Sequence, residues 1–393
     1  MKRKIAVVTS SRADYSHLYW PLHDLAGHPN VDLQLIVMGA HLSPAFGSTL
    51  QDIVGDSFPI AGQVECLLSS DTDIGMAKTI GVATLSLADQ LGRLRPDLLL
   101  LIADRYEMLA PASVALALRI PIAHIEGGEI SEGAIDDAVR NAITKMSHIH
   151  FTTTFAARDR VIAMGEEAWR VHRSGAPSLD HLRRSRLLTR EEVEKNLDLD
   201  LSQPTVLVTY HPVTLLRETT SEADALFAAL QQLGDQIVFT YPNADAGTYH
   251  LIERARAFGA THSNAHVFVN LGAVTYWSLL RHVDVLVGNS SSGVMESASF
   301  AIPTVDIGMR QQGRERARNV LSTASDSARI LEAIREARSA CFRDALAGMD
   351  NPYGDGHAAE KIVEVLTTTP LTQELLIKRV VKSAGNQGPR TAG

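Results

Sequence analysis

Cysteine is nearly missing from this chain of 393 residues: Cys66 and Cys341 are the only two, and they lie far apart. They form neither a metal-ligand spacing nor a disulfide framework, and such sparse use fits a reducing compartment. A surplus of positive charge is missing as well. Lys and Arg number 37 against 45 Asp and Glu, leaving a formal net charge of -8. Nucleic-acid binders usually carry a basic stripe to neutralise phosphates, so that partner class is excluded. A phosphorylated small molecule is not, because a few well-placed donors can hold one. Long apolar runs are absent too. None reaches the ~18 residues that a spanning helix needs. The run 5–9 is cut short by Ser10-Ser11-Arg12-Ala13-Asp14 before it could serve as a signal sequence. A cytoplasmic chain without a membrane partner is expected.

Certain motifs are also lacking. No Gly-x-Gly-x-x-Gly follows the first apolar run, which weakens dinucleotide binding, and no Gly-Lys-Ser/Thr closes a phosphate loop. His-Glu-x-x-His occurs nowhere, and His124-Ile125-Glu126 lacks the Pro-Cys-x-x-Cys of a zinc deaminase. Neither a metal nor a cofactor is expected.

What is present is a repeating pattern. Short apolar runs occur at 5–9, 33–39, 97–103, 120–125 and 148–154, and again at 205–211, 236–241, 266–271, 284–288 and 303–308, with helix-forming stretches between them. Near-continuous Val/Ile/Leu strands are buried on both faces, which points to parallel sheets covered by helices. The fold class is α/β, and the strand count suits two Rossmann-like doubly wound domains facing a central cleft. The expected division is 1–180, 181–365 and a C-terminal piece 366–393, with the charged segment 183–200 as linker and solvated helix. From Ser383 the chain is small and polar, and disorder is expected there.

Candidate chemistry sits at the ends of these runs. Arg12 follows the first strand and is placed to meet a phosphate; a plain Ser cap with a solvated Arg fits equally well. Asp104 ends the most apolar strand, as an acid–base group or as a helix cap. The segment 123–141 is richer: Glu126 precedes Gly127-Gly128, Glu129 and Glu132 follow, and Asp136-Asp137 open a helix on which Asp136 and Arg140 share a face. Carboxylates converging there would raise one another's pKa, suiting proton transfer near neutral pH. In the second half, His211 before Pro212 is held extended at a strand end. Gly288-Asn289-Ser290-Ser291-Ser292-Gly293 then joins a strand to a helix through donor-rich residues that suit phosphate, and Glu296 lies one turn further on, where a carboxylate can accept two ribose hydroxyls. Asn243, in the turn-rich loop 241–247, and Arg310, after the last strand, join the candidate binding set.

Taken in order, TSSRADYSHL (9–18), GAHL (39–42), ADRYE (103–107), HIEGGEISEGAIDDAVRNAITKMSH (124–148), TYHPVT (209–214), PNADAG (242–247), GNSSSGVMES (288–297) and GMRQQGRE (308–315) make up a specific set. The chain resembles the hydrolysing UDP-N-acetylglucosamine 2-epimerases of sialic-acid and related nonulosonic-acid biosynthesis. The resemblance implies a GT-B arrangement with the site between the domains. It also implies the reaction: UDP leaves by elimination across C1–C2, and water adds to the 2-acetamidoglucal to release free N-acetylmannosamine. By position, Asp104, Glu126, Asp136 or Asp137, and His211 match the acid–base set. Arg12, Ser290, Ser291, Glu296 and Arg310 match the UDP-holding set, with His41 and Arg105 lining the cleft. Ser292 and Asn243 are carried with the binding residues, and a homo-oligomer, dimer or tetramer, is expected. Three departures stand out: Ala103 replaces an expected Gly, Asn141 replaces a frequent His, and Glu126 stands where many relatives have a second His. Two alternatives follow: the same chemistry on a 2,4-diacetamido-6-deoxy UDP- or GDP-sugar, or a GT-B glycosyltransferase.

Overall fold

The apolar runs become the interior strands of two all-parallel sheets. In the computed structural model the described residues are 2–44, 49–68, 72–132, 135–213, 222–240, 248–268 and 271–379. The first sheet comprises β1 (Arg3–Thr9), β2 (Val31–Met38), β3 (Ile60–Val64), β4 (Leu98–Ile102), β5 (Ile122–Ile125), β6 (Ile149–Thr152) and β7 (Val171–Arg173), in spatial order β3-β2-β1-β4-β5-β6-β7. The second comprises β8 (Thr205–Thr209), β9 (Gln236–Thr240), β10 (Ala265–Phe268), β11 (Val285–Gly288), β12 (Thr304–Ile307) and β13 (Val320–Thr323), in order β10-β9-β8-β11-β12-β13. Both are doubly wound, and strand order reverses beside β1 in one and β8 in the other. Open α/β sheets bind ligands at such points, outside the C-terminal strand ends.

Three strands were not expected: β3, β7 and β13. All lie at sheet edges, where only one neighbour covers the backbone. Their sequences, IAGQV, VHR and VLST, are half-exposed and lack a sustained apolar run.

The expected domain limits also shift. Helix Arg190–Leu197 is a mostly exposed helix that buries Val193 in the second domain's core. The limit at 365, however, falls inside helix Ala358–Thr368, and this helix belongs to the other half. Its Ala358, Ile362, Val363 and Leu366 pack with Ile5, Leu18, Leu22 and Leu25 of the first core. Asp180 anchors its start by accepting the N–H groups of Ala358 and Ala359, each at 2.8 Å. The chain thus crosses between domains twice. No helix among the described residues is long and apolar enough to cross a membrane. The tail from Ser383 lies outside the described residues.

Candidate active site

Between the sheets lies an open cavity of about 200 Å³, lined by Arg12, Ser16 and His17 from one domain and by His211, Ser290, Ser291, Ser292, Glu296 and Arg310 from the other. Phe268, Leu271, Tyr276 and Trp277 add aromatic and apolar surface to the lining, suited to a flat base.

The second domain's wall is held largely by neutral hydrogen bonds. His211 N–H donates to Asn289 Oδ1 at 2.7 Å, and Asn289 Nδ2 donates back to His211 O at 2.9 Å. One buried amide therefore clamps the ends of β8 and β11 together. Gly288 permits the approach: at φ +149°, a Cβ there would lie 1.9 Å from Thr209 O. Arg310 Nη1 and Gln311 Nε2 both donate to Asn289 O, at 3.2 and 2.9 Å. Ser292 Oγ shares a 2.6 Å hydrogen bond with Tyr276 Oη. The wall presents hydroxyls, backbone N–H groups and one guanidinium, a set that suits a diphosphate.

The first domain's wall is built on charge and on strained backbone. Ala103 and Glu126, directly after β4 and β5, adopt left-handed φ of 58° and 67°. Residues with a Cβ avoid this region at a cost of ~1–2 kcal/mol, so the surroundings must enforce it. They do: Ala103 N–H donates to Ile125 O at 3.0 Å, Glu126 N–H to Phe151 O at 2.8 Å, and His124 Nε2 to Ala103 O at 2.8 Å. Buried Arg140 gathers the loops beyond. It pairs with Asp104, lies 3.3 Å from Asp137, and donates to Glu129 O at 2.8 Å and Ser131 Oγ at 3.0 Å. Arg140 thus turns to Asp137 and Asp104. Asp136, which shares a helix face with Arg140, faces Arg310 across the cleft at 3.7 Å.

The expected upward pKa shifts are only partly present. Burial pushes Glu129 up. Glu126 goes the other way: burial would raise it, but His17 at 2.7 Å outweighs burial and holds it below the usual carboxylate range.

This two-sheet cleft, with acids on one side and phosphate donors on the other, has close counterparts. The UDP-N-acetylglucosamine 2-epimerase family matches residues 23–367. The chain belongs to that family. It is 36% identical over 381 residues to the UDP-N,N'-diacetylbacillosamine 2-epimerase (hydrolyzing) of Legionella pneumophila, covering 96% of this chain and 99% of that one. It is 37% identical over 325 residues to the GDP/UDP-N,N'-diacetylbacillosamine 2-epimerase (hydrolyzing) of Campylobacter jejuni, covering 82% and 84%. The crystal structure of a UDP-GlcNAc 2-epimerase from Neisseria meningitidis bound to UDP-GlcNAc superposes with a TM-score of 0.78 at 18% identity, over 93% of this chain and all of that one, and shares the fold.

Within this epimerase-family fold the candidate residues divide. Arg12, His211, Ser290, Ser291, Ser292, Glu296 and Arg310 line one cavity. Glu126 and Asp136 touch its lining through His17 and Arg310, and Asp104 and Asp137 stand behind them on Arg140. His41 does not line the cleft: it is fully buried, with its ring nitrogens 2.9 Å from Thr9 Oγ1 and 2.6 Å from Thr49 Oγ1. Arg105 is turned aside onto Glu107, at 3.2 and 3.0 Å, and does not line the cavity either. Ser10 and Ser11 serve the cap, their N–H groups each 2.8 Å from the Asp14 carboxylate. Asn243 lies outside the described residues.

Two residues outside the candidate set also join the site. Arg314 reaches over from the second domain to donate to Ile130 O at 2.7 Å and Ser131 Oγ at 3.2 Å. His17 lies between Glu126 and Glu296. Its only sequence signal is its place within TSSRADYSHL, one turn beyond Arg12.

Proposed function

We propose that this chain is a hydrolysing 2-epimerase whose substrate is a UDP- or GDP-linked 2,4-diacetamido-6-deoxy sugar, released as the free 2-epimer with the nucleoside diphosphate. The near-full-length match to the hydrolysing Legionella pneumophila enzyme carries this reading. It favours the diacetamido sugar over UDP-N-acetylglucosamine, the first expectation from the sequence.

The geometry supplies a route. Glu126, kept anionic beside His17, takes the C2 proton. The C2–H electron pair forms the C1=C2 bond, and the C1–O bond breaks with its electrons passing to the nucleotide. Arg12, Arg310 and the Ser290–Ser292 turn receive the charge that develops on the leaving diphosphate, while His211 stands beside them. Glu296 takes the ribose hydroxyls. Water then adds to the 2-acetamidoglucal: hydroxide equivalent goes to C1, and a proton goes to C2 from the opposite face. The Asp104 and Asp137 carboxylates on Arg140 handle that second proton transfer.

Incubation of the protein with UDP- and GDP-linked 2,4-diacetamido-6-deoxy sugars and with UDP-N-acetylglucosamine, in D2O and without acceptor, tests the proposal. Nucleotide release with a free 2-epimer carrying deuterium at C2, fastest for a diacetamido substrate, is the expected result. Preference for UDP-N-acetylglucosamine would overturn the substrate. An intact nucleotide-linked epimer would overturn hydrolysis, and a requirement for an acceptor would favour transfer.

A further inference from the structure

His17 borders the cavity, yet the strand-end chemistry assigns it nothing. It projects from helix Arg12–Gly27 of the first domain, with Nδ1 2.7 Å from Glu126 Oε1 and Nε2 3.6 Å from Glu296 Oε1. Glu126 belongs to the first sheet's loops and Glu296 to the second domain. A single ring therefore spans the cleft with one nitrogen directed at each carboxylate.

A neutral imidazole carries one N–H and one lone pair, and a lone pair aimed at a carboxylate is repelled. An imidazolium donates on both sides. The charged and titratable groups around His17 are Glu126, Glu296 and His181; those around Glu126 are His17, Arg314, His124 and Glu129. Burial works against charge on His17, but Glu126 and then Glu296 outweigh it and push the ring up to about 10.

We propose that His17 is a positioning residue that, as an imidazolium, keeps Glu126 ionised through a hydrogen bond and links it to Glu296 through an ion pair, making nucleotide seating and proton removal parts of one charged unit. The role of Glu126 as the base rests on the function proposed above; the charged bridge itself does not. Without the cation, Glu126 would be buried near Glu129 and Glu296 with Arg314 as its remaining positive neighbour, and it would take up a proton at higher pH.

Two measurements separate the bridge from the reaction. In two-bond 15N–1H spectra of the full chain labelled at histidine, His17 is expected to be protonated on both nitrogens at pH 8. A neutral tautomer there would overturn the bridge, whatever the enzyme turns over. In turnover, His17→Gln is expected to move the acidic limb of kcat/KM upward by about one to three pH units, the shift that losing an adjacent opposite charge produces. His17→Lys, which returns a cation to the cleft, is expected to bring the limb back. An active His17→Gln enzyme with an unmoved limb would overturn the coupling. A doubly protonated His17 in a protein that releases no nucleotide would support the bridge and defeat the assigned reaction.

Discussion

The two walls of the cleft solve the problem of polar burial in opposite ways. The first domain's wall concentrates ionised groups: Asp104 and Asp137 on buried Arg140, and Glu126 on His17. The second domain's wall relies on neutral donors, with the Asn289 amide, the Ser290–Ser292 turn and the backbone N–H groups held in place by Gly288. Ion networks are costly to desolvate and sensitive to the loss of one member. Neutral hydrogen bonds each contribute about 1 kcal/mol and carry no charge to desolvate. A wall that moves protons needs tuned carboxylates, whereas a wall that grips a diphosphate needs several fixed donors. The two arrangements follow that division of labour.

Asp104→Asn should separate the walls most sharply. We expect turnover to fall by about 10²–10⁴-fold, the usual range for removal of an acid–base group. UDP affinity, measured by calorimetry, should stay within about threefold, because the lost Asp104–Arg140 ion pair lies on the wall opposite the serine turn and Arg310. A parallel loss of UDP affinity would show that the walls do not divide the work.

Glu296→Ala is the reciprocal test. Hydrogen bonds to a charged group contribute about 1.5–3 kcal/mol, so UDP should bind roughly 10–100-fold more weakly. Unchanged binding would remove the ribose assignment.

The smallest effect concerns backbone strain in the charged wall. Ala103→Gly removes a Cβ from a left-handed residue. Chemical denaturation should show a gain of up to about 1 kcal/mol, with part of the relief offset by the greater freedom of Gly in the unfolded chain. A loss of stability would mean that the Ala103 methyl contributes packing that outweighs its strain.

How much of this could be read in advance depended on whether a residue's role was local. Interior strands declare themselves because both faces are buried, so β1, β4, β8 and β11 stood out as unbroken aliphatic runs. The edge strands β3, β7 and β13 carry mixed sequences that resemble loops. Cavity-lining residues directly after a strand, such as Arg12 and Ser290, were legible for the same reason: the strand end fixes where they go. His17 was not, because its meaning comes from Glu126, 109 positions away, and from Glu296 in the other domain. His41 shows the converse error. It sits in a recognisable motif at a strand end, but Thr9 and Thr49 hold its ring inside the first domain. Ala103 stood out because it replaces an expected Gly, and its left-handed φ of 58° is a conformation that Gly adopts without strain.

The return of helix Ala358–Thr368 to the first core has a consequence for biosynthesis. Topologically the second domain is an insertion within the first, so the first domain is discontinuous in sequence. Domains usually fold as units while the chain emerges from the ribosome. Here the earlier half must wait: the surface around Leu18, Leu22 and Leu25 stays without its last covering helix until the later half has been made. The second domain can close on its own strands first, and the order of completion runs against the order of synthesis.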